Sequence, residues 1–148
     1  MTQNKINIFD VANYLIEKIP SITNMKLQKL IYYAHAYHLV KQKEKLVDNT
    51  LQAWIYGPVF PELYQTFCKY SYLPLKSTEK GDFHQLTEIQ KASLDQIIQR
   101  YGHLDSGDLS EQTHNEDPWL DAYNMSHDWE QNVITDQALV KFFRKVFR

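Results

Sequence analysis

The segment from residue 111 to residue 117 holds the densest group of side chains that could do chemistry. Its members are Glu111, His114, Glu116 and Asp117. A histidine beside carboxylates can act as a general base or bind a metal. The same residues also have structural explanations, because Asp117 can cap a helix ahead of Pro118 and His114 can hydrogen-bond within a turn. No nucleophile motif or glycine-rich phosphate loop accompanies them, so we expect binding or structural roles and predict no catalytic residue.

A second group consists of His35 and His38, which stand three positions apart. On a helix this spacing can place both rings on one metal ion, but the same helix offers no third ligand. Cys68 is the only cysteine, which excludes an internal disulfide and a thiolate-built zinc site. We therefore predict one exposed histidine, one histidine packed against the core, and neither a metal nor any other cofactor.

An aromatic turn is the third feature, in the run Trp54-Ile55-Tyr56-Gly57-Pro58. In an alternating strand, Trp54 and Tyr56 would share one face and Ile55 would lie opposite. Gly57 is expected to supply an unusual backbone angle, and Gly57-Pro58 to end the strand. Two interpretations stay open, namely a packed corner and an aromatic platform, because rigid loops commonly present binding surfaces.

The end of the chain is basic, with cations on the last predicted helix at Lys141, Arg144, Lys145 and Arg148. Such a patch could contact nucleic acid or an acidic partner. The interpretation we favour is structural, since cations at a helix C-terminus complement its dipole while the phenylalanines of that helix dock into the core. The formal net charge of −2 also argues against a protein that wraps nucleic acid.

The elements that position these residues are mainly helical. Apolar spacing and capping residues predict helices after Asn7, over Met25 to about Gln42, from Pro61, after Thr87, from Asp105 or Ser106, after Asp117 as N-cap, and after Thr135. The second helix is apolar on more than one side and should be central. Gly102 should end the fourth helix in a left-handed cap. Minor β structure is expected near residues 46–56 and at 72–77.

Length and composition predict a compact, single-domain helical bundle over residues 1–148. One hundred and forty-eight residues with 43% apolar side chains suit one core. No apolar run approaches the roughly 18 residues of a membrane span, and the first residues have no signal-peptide character. We therefore expect a cytoplasmic protein without membrane association.

Three segments, in this order, resemble the Panacea-domain family, also described as SocA-like or GepA-like phage-associated proteins. They are Met25-Lys26-Leu27-Gln28-Lys29-Leu30-Ile31-Tyr32-Tyr33-Ala34, then Ala53-Trp54-Ile55-Tyr56-Gly57-Pro58-Val59 with Pro61-Glu62-Leu63-Tyr64, and last Leu109-Ser110-Glu111-Gln112-Thr113-His114 with Pro118-Trp119. Where the family often continues after Ala34 with Gln-Gly, this chain has His35-Ala36.

The resemblance implies a non-enzymatic antitoxin of a bacterial or prophage toxin–antitoxin system. Its partner would be a protein toxin encoded by a neighbouring gene and neutralised by direct binding. The partner-binding candidates are Tyr56, Gly57, Pro58, Thr113, His114 and Trp119. Three alternatives stay open: an adaptor that delivers the toxin to an ATP-dependent protease, a hydrolase based on His114 and carboxylates, and a nucleic-acid-binding regulator, although nucleic acid is not the expected partner.

Overall fold

The computed structural model describes residues 6–123 and 132–148, in which helices surround one long central helix. The α-helices of this part of the chain are α1 (Ile8–Lys18), α2 (Asn24–Gln42), α3 (Pro61–Phe67), α4 (Glu88–Tyr101), α5 (Ser106–His114), α6 (Asp117–Tyr123) and α7 (Asp136–Phe143). Strands β1 (Gln52–Trp54) and β2 (Gly57–Val59) form a small antiparallel hairpin. Two short 3-10 helices lie at Cys68–Tyr70 and Phe83–Gln85. The predicted mainly helical class with a minor β element is confirmed.

Helix α2 is the centre of the packing, as its sequence predicts. It contacts α1, α3, α4, α5, α7 and β2. Leu27, Leu30, Ile31, Tyr32 and Tyr33 are all fully buried although they point in different directions around the helix. A helix that is apolar on most of its circumference must be covered on most sides, and this accounts for the neighbours that surround α2.

Local capping signals place most helix starts correctly. The side chains of Asn7, Thr23 and Thr135 each accept a hydrogen bond from a backbone N–H in the first turn of their helix. Capping boxes begin α4 at Thr87 and α5 at Asp105. These bonds satisfy amide donors that have no partner within the helix.

Two predictions about helix ends are wrong. Gly102 follows α4 with φ −62°, in the right-handed region, and its amide donates to the carbonyl of Ile98 in the helical pattern. The chain therefore leaves α4 through a continued right-handed turn and not through a left-handed cap. Helix α6 begins at Asp117 itself, one residue earlier than a cap at Asp117 would allow.

The β structure also differs from the prediction. The strand ends at Trp54, Ile55 and Tyr56 form the turn, and Gly57-Pro58 begins the second strand instead of ending the first. Residues 46–51 and 72–77 form no strand. The other neighbour of β1 is the segment 132–134, through the bonds Ala53 N to Asn132 O (2.8 Å) and Ile134 N to Leu51 O (2.8 Å).

Of the two histidines, one was predicted to pack against the core and one to be exposed. Only the exposed half of this prediction is wrong, because both are buried. His38 Nδ1 lies 2.7 Å from Ser93 Oγ. His35 Nδ1 accepts the backbone amides of Leu46 and Val47, each at 3.3 Å. The proton of His35 is therefore on Nε2, which donates to Asp136 Oδ1 at 2.9 Å and so connects α2 to α7 and to the 43–48 loop.

Asp136 is held by two partners at the start of α7. Its other oxygen lies 2.8 Å from Lys45 Nζ. The hydrogen bond from His35, followed by the one from Lys45, lowers the pKa of Asp136 to about 2. Through this carboxylate, the loop that follows α2 and the first turn of α7 are fixed to the same histidine.

No helix in the described ranges combines the length and the apolar character that crossing a membrane requires.

Replacing His35 tests this connection. His35→Ala leaves the amides of Leu46 and Val47 without their acceptor and opens a void, so we expect a loss of about 2–4 kcal/mol in the free energy of unfolding. Urea denaturation measures the loss. His84→Ala, at an exposed histidine, is the control and should change stability by less than about 0.5 kcal/mol. Equal stability of the two variants would contradict the role assigned to His35.

Candidate functional site

The turn of the β1–β2 hairpin packs against α2 and α5 at Gly57. This residue has φ +125°, a backbone conformation that strongly favours glycine. A Cβ placed there would lie 2.8 Å from Lys29 Cε and 2.9 Å from Thr113 Oγ1. The unusual angle predicted for Gly57 is confirmed, and the close approach adds a second reason for glycine at this position.

Side chains of α5 and α6 donate hydrogen bonds to the backbone of the turn. Ser110 Oγ of α5 donates to the carbonyl of Tyr56 at 2.6 Å. Trp119 Nε1 of α6 donates to the carbonyl of Trp54 at 2.7 Å. The Trp54 ring packs edge to face against Tyr64 of α3, with ring centroids 5.1 Å apart. Backbone carbonyls on both sides of the turn are thus fixed by side chains from different helices.

The structure brings the two groups of predicted partner-binding residues together but buries most of them. Gly57, Pro58, Thr113 and Trp119 are all buried. Tyr56 is 63% exposed, and His114 is partly exposed. The buried members can position a binding surface, whereas only Tyr56 and His114 can present side-chain area to a partner.

Ile55 is a surface residue that the sequence reasoning missed. It is 62% exposed and sits beside Tyr56 at the tip of the turn. The strand interpretation placed Ile55 on the face opposite Tyr56, but in a two-residue turn both side chains leave the sheet. The signal that could have revealed this is the glycine that follows the pair, because tight hairpin turns favour residues that tolerate positive φ.

An aromatic stack borders the turn. The His114 ring lies 4.2 Å from the Trp119 ring, and Tyr123 stacks on Trp119 at 4.7 Å. The Nε2 atom of His114 is buried and has no hydrogen-bond partner among the described residues. His114 therefore contributes ring packing against Trp119, whose indole N–H binds the backbone of the hairpin.

Glu116 lies beneath this surface as a buried carboxylate. Tyr32 OH donates to Oε1 at 3.0 Å, and Tyr33 OH lies 3.1 Å from Oε1 and 3.0 Å from Oε2. Gln112 Nε2 donates to Tyr33 OH at 2.9 Å. Burial raises the pKa of Glu116 to about 7, although the two tyrosine hydrogen bonds act in the opposite direction. Glu116 is thus a buried connection between α2 and the junction of α5 and α6.

Lys29 is the other buried ionisable group of this region, with 0% of its surface exposed. Its amine makes one polar contact within the described chain, to Met25 Sδ at 4.0 Å. Burial lowers the pKa of the amine to about 7. The sequence reasoning passed over Lys29, although a lysine within the run Leu27-Gln28-Lys29-Leu30, on a helix apolar all round, is a signal that it must be buried.

The arrangement presents an exposed tip and gives the members of the 111–117 group separate surroundings. Glu116 directs its oxygens to Tyr32 and Tyr33, whereas His114 stacks on Trp119 and Glu111 is exposed. Within residues 6–123 and 132–148, no three His, Cys, Asp or Glu side chains are grouped so that they could hold a metal. The chemistry that this geometry supports is recognition of another surface by an aromatic and aliphatic tip.

The structure is thus a helical scaffold that holds an aromatic turn in place, and comparison with known proteins gives its family. The family described as Antitoxin SocA-like, Panacea domain, matches residues 27–120. The chain belongs to this family. The matched range contains Lys29, the hairpin and Glu116.

One similar protein is Antitoxin SocA of Caulobacter vibrioides (strain NA1000 / CB15N), which is 43% identical over 61 residues. The alignment covers 38% of this chain and 32% of the relative, so it spans about a third of that protein's length. No solved structure matches the chain.

The raised pKa of Glu116 predicts a specific dependence of stability on pH. Between about pH 4.5 and pH 7 the folded state holds a proton that the unfolded state releases, so this group destabilises the fold increasingly as pH rises. Glu116→Gln keeps an acceptor for the tyrosines but cannot ionise. We expect the free energy of unfolding of this variant to exceed that of wild type by up to about 3 kcal/mol at pH 8. At pH 5 the two values should agree within about 1 kcal/mol.

Urea unfolding of both proteins at several pH values measures this difference. Glu111→Gln, at an exposed residue of the same helical region, is the matched control and should track wild type at every pH. A Glu116→Gln difference that stays constant from pH 5 to pH 8 would show that burial does not perturb this carboxyl.

The lowered pKa of Lys29 predicts the opposite dependence of stability on pH. The amine has a pKa of about 7 in the folded state and above 10 in the unfolded state. The loss of folding stability caused by burying it is therefore greatest below pH 7 and decreases as pH rises. Lys29→Met fills the same space without a charge and should raise the urea midpoint most at pH 6 and least at pH 10. Lys41→Met, at an exposed position of α2, should leave the midpoint almost unchanged. A destabilised Lys29→Met protein at pH 6 would overturn this reasoning.

Proposed function

We propose that this protein is an antitoxin that neutralises a cognate protein toxin, encoded by a neighbouring gene, through direct binding. Membership of the SocA-like family supports an antitoxin role, and the name of the Caulobacter relative agrees with it. On this proposal the protein acts in the cytoplasm, as one domain over residues 1–148, and is not an enzyme.

The main support for direct binding is the exposed tip of the hairpin. Ile55 and Tyr56 are adjacent, large and apolar, with 62% and 63% of their surfaces exposed. Large apolar side chains at the end of a fixed turn are typical anchors of protein interfaces, where a few residues contribute most of the binding energy. Tyr56 and His114 are the proposed contacts, with Ile55 added to them.

The remaining candidates act by holding this tip in place. Gly57 allows the hairpin to approach Lys29 and Thr113, and Trp119 binds the backbone on the other side of the turn. Pro58 stiffens the second strand. A turn that is already ordered loses little conformational entropy when it binds, so the buried residues of the site contribute to affinity without touching the toxin.

The proposed mechanism is steric. The tip enters or covers a concave region of the toxin, and no titratable group of the antitoxin has to react. Delivery of the toxin to an ATP-dependent protease is the alternative mechanism, and it requires the same first binding step. The two differ in the fate of the toxin, whose cellular level falls upon delivery and stays constant under direct inhibition.

Removing the tip side chain tests the proposal. We expect Tyr56→Ala to fold as well as wild type, because its side chain is mostly in solvent. It should weaken toxin binding by about 2 kcal/mol, roughly 30-fold, as the loss of an interface anchor does. Co-expression with the neighbouring toxin measures growth rescue, and calorimetry with the purified toxin measures affinity.

Tyr72→Ala is the matched control, because Tyr72 is another tyrosine with 81% exposure, outside the hairpin. It should rescue growth like wild type. Full rescue by Tyr56→Ala and by the double variant with Ile55→Ala, at normal expression, would refute the hairpin tip as the toxin-binding surface. A neighbouring gene product that is not toxic would refute the antitoxin role itself.

A further inference from the structure

A shallow groove runs between the C-terminal end of α2 and helix α7. Two adjoining hollows of about 490 and 420 Å³ form it, and they share Val140 and Arg144. Leu39 and Val40 of α2 lie along the first hollow. All three aliphatic side chains are only partly buried, so the groove offers an apolar floor that the described part of the chain leaves open.

The rim of this groove carries uncompensated positive charge. Lys43, Lys141 and Arg144 line it and are exposed, and none of them forms an ion pair within the described residues. The one acid among the lining residues, Asp136, is already bound to His35 at 2.9 Å and to Lys45 at 2.8 Å. The field at the rim is therefore cationic, in a chain whose formal net charge is −2.

Lys43 sits in an unusual backbone position. It caps α2 in the left-handed conformation, with φ 58° and ψ 32°. Glycine or asparagine is the usual residue at such a helix end, because other side chains are strained there. The folded state is therefore less stable with lysine at this position than it would be with glycine. The lysine also adds a cation to the rim.

We propose that this groove binds an acidic segment of a partner protein, with apolar side chains against Val140, Leu39 and Val40 and carboxylates facing the rim cations. The cations of the rim favour a partner segment that carries acidic side chains. The aliphatic floor favours apolar side chains in the same segment. A peptide segment fits better than nucleic acid, because none of the described residues that line the groove is an aromatic residue on which a base could stack.

The groove and the hairpin tip are separate surfaces. Lys29, which the hairpin covers, and Lys43, at the rim, are 14 positions apart along α2, which corresponds to about 20 Å of helix. One partner segment in the groove would leave the tip free. The proposal therefore does not depend on the toxin-binding role of Tyr56.

A defined peptide tests the proposal on the full-length protein. The probe is a fluorescein-labelled peptide of about 12 residues with leucines at i, i+4 spacing and glutamates between them. Fluorescence anisotropy at low salt should show saturable binding that weakens as salt increases. A peptide with serine in place of leucine, and one with lysine in place of glutamate, should each bind at least about tenfold more weakly.

Two variants locate the binding. Arg144→Glu should weaken peptide binding by about tenfold or more, while Lys76→Glu, at an exposed lysine far along the chain, should not. Lys43→Gly should also weaken binding yet fold at least as well as wild type, because glycine suits the left-handed cap. The Lys43→Gly variant thus separates loss of the rim charge from loss of the fold.

The contrary results are equally definite. Absence of binding at millimolar peptide, or affinity that is unchanged in both Arg144→Glu and Lys43→Gly, would overturn the groove as a peptide site. Tighter binding of a DNA duplex than of the acidic peptide, with the same sensitivity to both variants, would replace the peptide by nucleic acid. Tyr56→Ala should leave peptide affinity unchanged, so this experiment and the toxin-binding experiment fail independently.

Discussion

The fold depends on how one buried carboxylate is satisfied. Glu116 lies between α5 and α6, and the hydroxyl groups of Tyr32 and Tyr33 of α2 bind it from the side of the core. A buried charge or acid without partners would cost several kcal/mol, so the position of α2 relative to the α5–α6 junction is constrained. Phe143 of α7 packs edge to face on both tyrosine rings, which extends the same constraint to the last helix.

This arrangement also determines the position of the hairpin. Thr113 follows Gln112, whose amide binds Tyr33, and Thr113 together with Lys29 defines the space that Gly57 enters. The exposed Ile55 and Tyr56 are therefore attached to this hydrogen-bonded part of the core. The two ionisable groups below them, Lys29 and Glu116, reduce stability near neutral pH, so positioning the tip is achieved at an energetic cost within the core.

Local signals were sufficient for most helix starts but not for every helix end or for the site. Caps such as Asn7, Thr87 and Thr135 act within one turn, so the sequence predicts them, and the apolar circumference of α2 predicts its central place. The prediction of the hairpin failed because its register depends on the contact of Gly57 with Lys29 and Thr113, which are distant in sequence. The predicted exposure of one histidine was wrong, and the burial of Glu116 was not predicted, for a related reason. A polar residue can be buried when its partners come from other elements, and single-sequence spacing does not reveal those partners.

The pairing of β1 with the segment 132–134 ties the hairpin to chain outside the family match. The family match ends at residue 120, yet the following chain returns to the core through bonds between backbone atoms, from Ala53 to Asn132 and from Ile134 to Leu51. Asn132 and Ile134 are also buried there, at 1% and 4% exposure. Strand β1 is therefore held between β2 and a buried segment that lies outside the family match, so the position of the hairpin also depends on chain beyond residue 120.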